Sequence, residues 1–522
     1  MESSTSPGEN WEFPMNKSLK ALILVVSGIL IIYPSFLWLE RVHQVKKQHI
    51  PQPRYEAWRK LPPELIFTTT LLGGFRGIIV DILWLRSMKL KEEGKFFELV
   101  QLSKWIGLLQ PDIPYVWTFN AWNLAYNVSV EFPTGEERWN WIYLGIKLLR
   151  DKALVYCPTG ADIYKELSWI YLNKIGGTID EFSAFYKQKW AQIMDDALGG
   201  AKVEDLAKII EEKGEEKKFK EILGKLREEG INPLLNPEIL KSEEVKKRIP
   251  ESLRKDFHLW IRAKYLKETL KLDPKIMKEL NEKFVPFDWR VPGPHAIYWV
   301  YLGHKKADLD EVTYKRFTYY AMNNILKWGR VRISYLPAGK VFLINPNFAV
   351  VPILNNFYEE TIKSLEKHLK TPTQASHANF LKDVILNAFI YNDLKTAHKY
   401  FKYLKDHYPE EVGHRNFEEF ILHEYSYILR EGSIQEIRSL LFGILYQYYW
   451  SLAVGEDDRA YGLDHLAHLL HKKIKSFGKF RDVIPEYDEL KEFVLSRVYQ
   501  TFPSALVESL KIRLKKFPEE KK

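Results

Sequence analysis

An uncharged apolar stretch near the start of the chain is the feature that most limits how this sequence can fold. It reads ALILVVSGILIIYPSFLWL and runs from Ala21 to Leu39. A helix of about 20 apolar residues crosses the roughly 30 Å hydrocarbon core of a bilayer. Because the stretch ends in large residues followed by Glu40, without a small-residue cleavage site, it predicts a retained transmembrane helix and not a signal peptide.

Basic residues flank this predicted span on both sides. They are Lys17 and Lys20 before it, and Arg41, Lys46, Lys47 and Arg54 after it. The larger number after the span favours a cytoplasmic location for the rest of the chain, but the difference is small and leaves the side open. We expect a single-pass protein of the cell (inner) membrane that contacts the lipid bilayer through residues 21–39.

Composition excludes several classes of protein. Apolar residues make up 46% of the 522 residues, which excludes general disorder, and a mean hydropathy of -0.30 excludes a polytopic membrane protein. The net charge of +9 is a small difference between 77 basic and 68 acidic residues spread along the chain. A nucleic-acid-binding protein concentrates its basic residues in a patch, so we expect no nucleic-acid partner.

The sequence also offers little to hold a metal or cofactor. Cys157 is the single cysteine, which rules out an intramolecular disulfide and argues against a cysteine zinc site. His465, His468 and His471 recur at three-residue spacing on a predicted helix, but the H-E-x-x-H order of a zinc protease is missing. We therefore expect no metal and no cofactor.

Beyond the span, apolar residues recur at three- and four-residue spacing, which predicts an all-α protein. The segment EEKGEEKKFKEILGKLREEG is dense in Glu and Lys and predicts a solvated helical insertion. Shifts in composition divide the chain into a tail (1–20), the span (21–39), a proline-bearing connector (40–63), an N-terminal helical-repeat lobe (64–200), the charged helical insertion (201–283) and a C-terminal helical-repeat lobe (284–522).

Small and aromatic residues recur at the spacing of paired helices. The matching sets are Trp117-x3-Ala121-x2-Leu124, Tyr164-x2-Leu167-Ser168-x2-Tyr171, Trp299-x2-Leu302-Gly303 and Ala397-x3-Phe401 with Leu404 and Pro409. Small residues let two helices cross closely, and large aromatics fill the space beside them. A helix pair of this kind cannot bury its own apolar face, so several pairs must stack.

In these positions the chain resembles the tetratricopeptide-repeat proteins, with departures from their consensus. With its stretches LGGFRG, YKELSWIYLNKIGG and DWRVPGPHAIYW it is also similar to poorly characterised bacterial proteins that join one N-terminal span to such an array. The resemblance implies a helical-repeat solenoid behind a transmembrane helix, serving as a scaffold that binds partner proteins or peptide segments in assembling a membrane-associated complex. An ordinary helical bundle is the alternative fold.

One short polar stretch allows a different function. Asp288, Trp289 and Arg290 are followed within a few residues by His295, in a proline-rich segment. Such residues could orient a substrate carboxylate or transfer a proton, which would make the chain a membrane-bound enzyme of unknown class. The same residues could instead tie a loop to the start of a helix, through an Asp–Arg pair and a histidine cap. No nucleophile or metal cluster accompanies them, so the scaffold is the leading hypothesis.

The stretch LLGGFRGIIVDILWLR, from Leu71 to Arg86, lacks the glycine spacing of a phosphate-binding loop and carries charges that make membrane insertion marginal. It predicts a packed helix in which Gly73 and Gly77 allow a close neighbour. Arg76 and Asp81 are five residues apart, too far around the helix to pair with each other. Each is therefore expected to pair with another helix.

Overall fold

A computed structural model of the chain describes residues 38, 40–41, 75–111, 113–336, 339–364, 367–425, 433–476 and 483–516. This part is a repeat-like array of α-helices with one two-stranded hairpin, which confirms the all-α prediction. None of the described helices combines the length and the apolar character that a membrane crossing requires. The predicted span at 21–39 lies, apart from Trp38, outside the described residues.

The N-terminal lobe is built from helices that follow one another closely. They are α1 (Arg76–Glu92), α2 (Phe96–Leu109), α3 (Pro114–Trp122), α4 (Gly135–Lys147), α5 (Ala161–Trp169) and α6 (Ser183–Leu198). Three of them continue into π-helical segments, which are Asn123–Val128 after α3, Leu148–Ala153 after α4 and Ile170–Ile175 after α5. The first segment passes into a 3-10 turn, Ser129–Glu131, and the second into a last α-helical turn, Leu154–Tyr156.

The charged segment that follows forms α7 (Val203–Glu211), α8 (Glu216–Glu228), α9 (Glu243–Lys247), α10 (Glu251–Glu268) and α11 (Pro274–Lys283), with 3-10 turns at Lys213–Glu215 and Pro237–Lys241. Phe219, Leu223, Phe257 and Trp260 pack together in a small core of their own. The apolar stripe on these Lys- and Glu-rich helices is thus enough to bury a local cluster.

The C-terminal lobe begins with α12 (Pro292–Lys306) and α13 (Glu311–Trp328), followed by the hairpin strands β1 (Arg330–Leu336) and β2 (Gly339–Asn345) and a 3-10 turn (Phe348–Val350). The remaining helices are α14 (Val351–Ser364), α15 (Lys367–Ile390), α16 (Leu394–His407), α17 (Pro409–Val412), α18 (Phe417–Glu424), α19 (Ile434–Val454), α20 (Asp457–Ser476), α21 (Tyr487–Thr501) and α22 (Ser504–Lys516).

The charged segment separates the two lobes in the sequence, but the lobes contact each other directly, because α12 packs along α5. The Ser168 hydroxyl donates to the carbonyl oxygen of Ala296 at 2.8 Å. A Cβ atom added at Gly303 would lie 2.8 Å from Cβ of Tyr164, so the helices approach each other too closely there for a side chain. Residues of both lobes consequently share one hydrophobic core.

Other small residues also lie at helix crossings. A Cβ atom added at Gly145 would lie 2.9 Å from the Ala121 carbonyl oxygen. The absence of a side chain at Gly145 therefore allows α4 to pack closely against α3. Between α15 and α16, Asn392 adopts a left-handed conformation with φ 55°, and Ala397 is completely buried where the two helices pack. These contacts explain why small residues are found where these helices cross.

The predicted helix within Leu71 to Arg86 is confirmed where it is described, because α1 covers its second half. The contacts predicted for this helix are not confirmed. Nothing lies within 4 Å of a Cβ atom added at Gly77, and Asp81 is exposed, with no ion pair to any residue of the described chain. Within the described residues α1 turns Val80 and Leu90 toward the core and Asp81 toward solvent, so the pairing of Asp81 with another helix stays a prediction. The side chain of Arg76 lies outside the described residues.

Candidate binding groove

The four residues singled out at the start of the C-terminal lobe form a structural tie. The Arg290 guanidinium donates to both carboxylate oxygens of Asp288, at 2.9 and 2.8 Å, and to Asp195 of α6 at 3.4 Å. The Asp288 carboxylate beside it raises the pKa of Arg290 above its ordinary value, although burial opposes this. Arg290 thus stays charged and joins this loop to α6.

The neighbouring aromatic residues are buried in the same tie. Trp289 donates through its indole nitrogen to Asn281 at 3.1 Å, and His295 Nε2 lies 2.7 Å from the Trp289 carbonyl oxygen. The His295 ring is fully buried between Tyr171 and Trp190, and this burial lowers its pKa to about 4. His295 is therefore neutral and inaccessible to a substrate. Asp288 is engaged by Arg290, so it is not free to act on a substrate either.

The Asp288–Arg290 pair also covers the outer edge of β1. The Val331 amide donates to Asp288 Oδ2 at 2.8 Å, and Arg290 Nη2 donates to the Val331 carbonyl oxygen at 2.8 Å. This pair therefore supplies the hydrogen bonds that another strand would supply at that position. The tie fixes the hairpin on α6, where Val331 packs against Ala191 and Val291.

The opposite edge of the hairpin borders a groove. β1 and β2 pair antiparallel, with Arg330 opposite Asn345 and Leu336 opposite Gly339. A cleft of about 270 Å³ is lined by consecutive residues of β2, Val341 to Asn345, and by the first turns of α6. Successive side chains of a strand point to opposite faces, so a lining of consecutive residues means that the strand presents its edge to the cleft.

Lys187 lies on the α6 wall of this cleft. Its side chain donates to the Gly177 carbonyl oxygen, and its ammonium nitrogen is 5.7 Å from the centre of the Trp328 ring. Lys187 is only 5% exposed, and burial lowers its pKa to about 8. No carboxylate of the described chain lies within ion-pair distance of this ammonium group. The groove thus holds a buried cation without a counter-ion among the described residues.

An ion pair between buried Glu456 and half-buried Arg459 closes the far side of the cleft. Gly455, with φ 83°, turns the chain from α19 into α20 and places Glu456 just before that helix. Glu456 is 3% exposed, and one of its oxygens accepts from Arg459 at 3.2 Å. Within the described chain, the other carboxylate oxygen and the Arg459 Nε atom have no hydrogen-bond partner.

Lys187 and Arg459 are positive and Glu456 is negative, so the charged residues that line the cleft have a net charge of +1. Trp328 and Trp450 add aromatic surface to its walls. An extended ligand could therefore gain three kinds of contact here: backbone hydrogen bonds from the β2 edge, apolar contact with the two indole rings, and an ion pair between its own carboxylate and Lys187.

The groove continues along α6 beyond this cleft. A neighbouring volume of about 420 Å³ lies between the middle of α6 and the start of β2, lined by Gln188, Gln192 and Lys340 among others. Gln188, Val341 and Phe342 line both volumes, so the two are continuous. Lys340 forms an ion pair with Asp195 at 3.6 Å and bridges α6 and β2.

Sequence reasoning missed both the hairpin and the groove. In the stretch RVRISYLPAGKVFLIN, apolar and polar residues alternate in RVRIS, and a short apolar run, VFLI, follows the sequence Pro-Ala-Gly; this signal could have identified the hairpin. Nothing in the sequence distinguishes Lys187 from Lys189, the other lysine of α6, because the burial of Lys187 depends on residues more than a hundred positions away.

Known proteins give no further indication of function. No family model, curated protein or solved structure matches the chain.

Proposed function

We propose that this protein is a membrane-anchored scaffold of tetratricopeptide-like repeats that binds an extended segment of a partner protein, as part of the assembly of a membrane-associated complex. The observation that carries the proposal is the groove between α6 and β2, where a strand edge faces a wall that contains the unneutralised ammonium of Lys187. The uncharged stretch from Ala21 to Leu39 supports the anchor, and the repeat pattern supports the scaffold.

The segment would add to the hairpin as a third strand. Backbone groups on the free edge of β2 would give affinity, since main-chain hydrogen bonds hold peptides at exposed sheet edges. Lys187 would give specificity for a segment that carries an Asp or Glu side chain or a terminal carboxylate. Arg290 and Asp288 already occupy the β1 edge at Val331, which favours β2 as the strand that accepts a partner.

Selection from displayed peptides tests this proposal. Purified full-length protein would be used to select from a library of short random peptides, and the affinity of an enriched peptide would be measured by fluorescence anisotropy. We expect enriched peptides to carry a carboxylate near their centre or at the C-terminus. Lys187→Met should weaken their binding by about tenfold, which corresponds to ~1.4 kcal/mol for a lost charge-assisted contact.

A matched pair of variants locates the binding. Ala184 is exposed on α6 and lines the groove, whereas Ala375 is exposed on α15 away from it. Ala184→Trp should abolish peptide binding by filling the groove, and Ala375→Trp should leave it unchanged. A failure to enrich any peptide, or equal binding by the two variants, would contradict the proposal.

A further inference from the structure

The first described helix carries apolar residues on two faces. One face of α1 packs into the N-terminal lobe through Val80 and Leu90. On the other side Ile78, Ile82 and Leu85 are between 56% and 69% exposed. Because α-helical residues three, four and seven positions apart lie on one side of the helix, these three side chains form a single exposed row.

Aromatic residues extend this apolar row onto the next elements. Trp84 of α1 contacts Phe119 of α3, with ring centres 5.1 Å apart, and Phe119 in turn contacts Tyr115 and Trp122. Tyr115 is 67% exposed and Trp122 is 38% exposed. We call the exposed residues Ile78, Ile82, Leu85, Met88, Tyr115 and Trp122 the α1–α3 face.

Two exposed cations border this face, and one exposed carboxylate, Asp81, lies within it, three residues from Ile78 and four from Leu85. Arg86 and Lys89 follow the aliphatic row on α1, and their side chains are 60% and 71% exposed. Their nearest carboxylate oxygens, on Glu98 and Glu93, are both 3.8 Å away, which leaves most of each charge open to another anion. Aliphatic residues bordered by Trp, Tyr and exposed cations are typical of a surface that lies in the headgroup region of a bilayer.

We infer that the α1–α3 face docks on the lipid bilayer, with the aliphatic row entering the acyl boundary and Arg86 and Lys89 facing anionic headgroups. This inference rests on the proposed attachment to a membrane, and it adds that the body lies against the bilayer and does not extend away from it. The position of α1 agrees with this, since α1 is the first described helix after the predicted span and connector.

A single spin label tests the contact in the full-length protein. Cys157 is the only cysteine and is buried, so Cys157→Ala provides a background for labelling. A label at Ile82→Cys would report on the α1–α3 face. A label at Val312→Cys, at a 73% exposed position on α13, would serve as the matched control. The protein would be reconstituted into vesicles of phosphatidylcholine and phosphatidylglycerol, and the accessibility of each label to oxygen and to a water-soluble nickel chelate would be measured.

We expect the label at residue 82 to be severalfold more accessible to oxygen than to the nickel chelate, and the label at residue 312 to show the reverse. Omitting phosphatidylglycerol should reduce the difference at residue 82. Nickel accessibility at residue 82 equal to that at residue 312 would overturn the inference, and so would protection from both reagents, which would mean that protein covers the face. A protein that does not remain with the vesicles would refute the membrane attachment itself.

Discussion

The Asp288–Arg290 tie and the groove around Lys187 both hold charges that are largely shielded from solvent, half-buried in the tie and buried at Lys187, but they differ in how completely these charges are paired. Both carboxylate oxygens of Asp288 are engaged by Arg290, and one of them also accepts from the Val331 amide. In the groove, Lys187 has no carboxylate partner in the described chain, and one oxygen of Glu456 has no partner there. The Asp288–Arg290 pair therefore has its charges matched without a ligand, although Nδ1 of the neighbouring His295 has no hydrogen-bond partner in the described chain, whereas the groove charges are not matched.

The difference shows how to distinguish charged residues that hold the fold together from charged residues that could bind a ligand. A buried pair whose hydrogen bonds are all satisfied holds elements together, and removing one partner leaves the other buried and unpaired. A buried charge without a partner costs stability in the free protein, and a ligand of opposite charge can recover that cost on binding. The predictions below test this distinction, from the largest expected effect to the smallest.

Breaking the tie should have the largest effect. Asp288→Ala leaves the Arg290 guanidinium without its bidentate partner and the Val331 amide without an acceptor. We expect the free energy of unfolding to fall by about 3 kcal/mol, as measured by urea denaturation. A loss below about 1 kcal/mol would mean that the tie contributes little and that the comparison fails.

Removing the groove cation should raise the free energy of unfolding, which is the opposite of the effect of breaking the tie. Lys187→Met deletes a buried ammonium group that has no counter-ion and keeps most of its apolar volume. We expect the free energy of unfolding at pH 7 to rise by on the order of 1–2 kcal/mol, since replacing a buried charge by a hydrophobic residue is often stabilising. Urea denaturation at constant pH measures the change. A marked loss of stability would assign Lys187 a structural role.

The same lysine predicts a pH dependence. Its pKa is about 8 in the folded chain and about 10.5 when it is free of the fold, so between these values the unfolded state binds more protons. Stability therefore rises with pH across this window. The difference in unfolding free energy between wild type and Lys187→Met should shrink between pH 8 and pH 10.5. A constant difference would show that the native pKa of Lys187 is unshifted.

Glu166 tests whether a buried ionisable group outside the groove changes stability without changing peptide affinity. It lies on α5 outside the groove, one of its oxygens is buried without a partner in the described chain, and burial raises its pKa to about 7. Because the native state holds this proton until near pH 7 and the unfolded chain releases it near 4.5, stability falls as pH rises through that window. Glu166→Gln should remove this fall and stabilise the protein at pH 8 by about 1 kcal/mol. Peptide affinity should not change.

An exposed pair should show the smallest effect. Lys165 and Asp162 form an ion pair at 2.6 Å on the surface of α5, where their side chains are 41% and 60% exposed. Asp162→Ala should change the free energy of unfolding by less than about 0.5 kcal/mol, because solvent screens such pairs. This variant is the control for Asp288→Ala, since both remove an aspartate from an ion pair. Equal losses in the two variants would show that burial does not decide the outcome.

The sequence predicted the features that depend on local spacing. Helices, the small residues at their crossings and the pairing of Asp288 with Arg290 all follow from residues close together in the chain. The hairpin was missed because long helices surround it, although Val331 and Ile333 alternate with polar neighbours. A charge within an apolar stretch suggests burial, but Asp81 is exposed because α1 carries apolar residues on two sides and only one of them is packed in the described chain.

The groove could not have been predicted in this way. Its walls come from α6, β2 and the junction of α19 and α20, so the burial of Lys187 and Glu456 depends on how separate parts of the array stack. The pattern of one segment does not contain that information. The burial of a charge without a partner becomes visible only once the fold is assembled.

Proton uptake on peptide binding tests the central claim most directly. Lys187 is partly deprotonated at pH 8, and a bound carboxylate would raise its pKa and draw in a proton. Calorimetric titration of a selected acidic peptide at pH 8, in buffers of different ionisation enthalpy, measures the number of protons taken up. We predict a fractional uptake by the wild-type protein and none in any residual binding by Lys187→Met. Binding without proton uptake by the wild type, or equal uptake by the variant, would contradict the assignment of Lys187 as the residue that binds the partner's carboxylate.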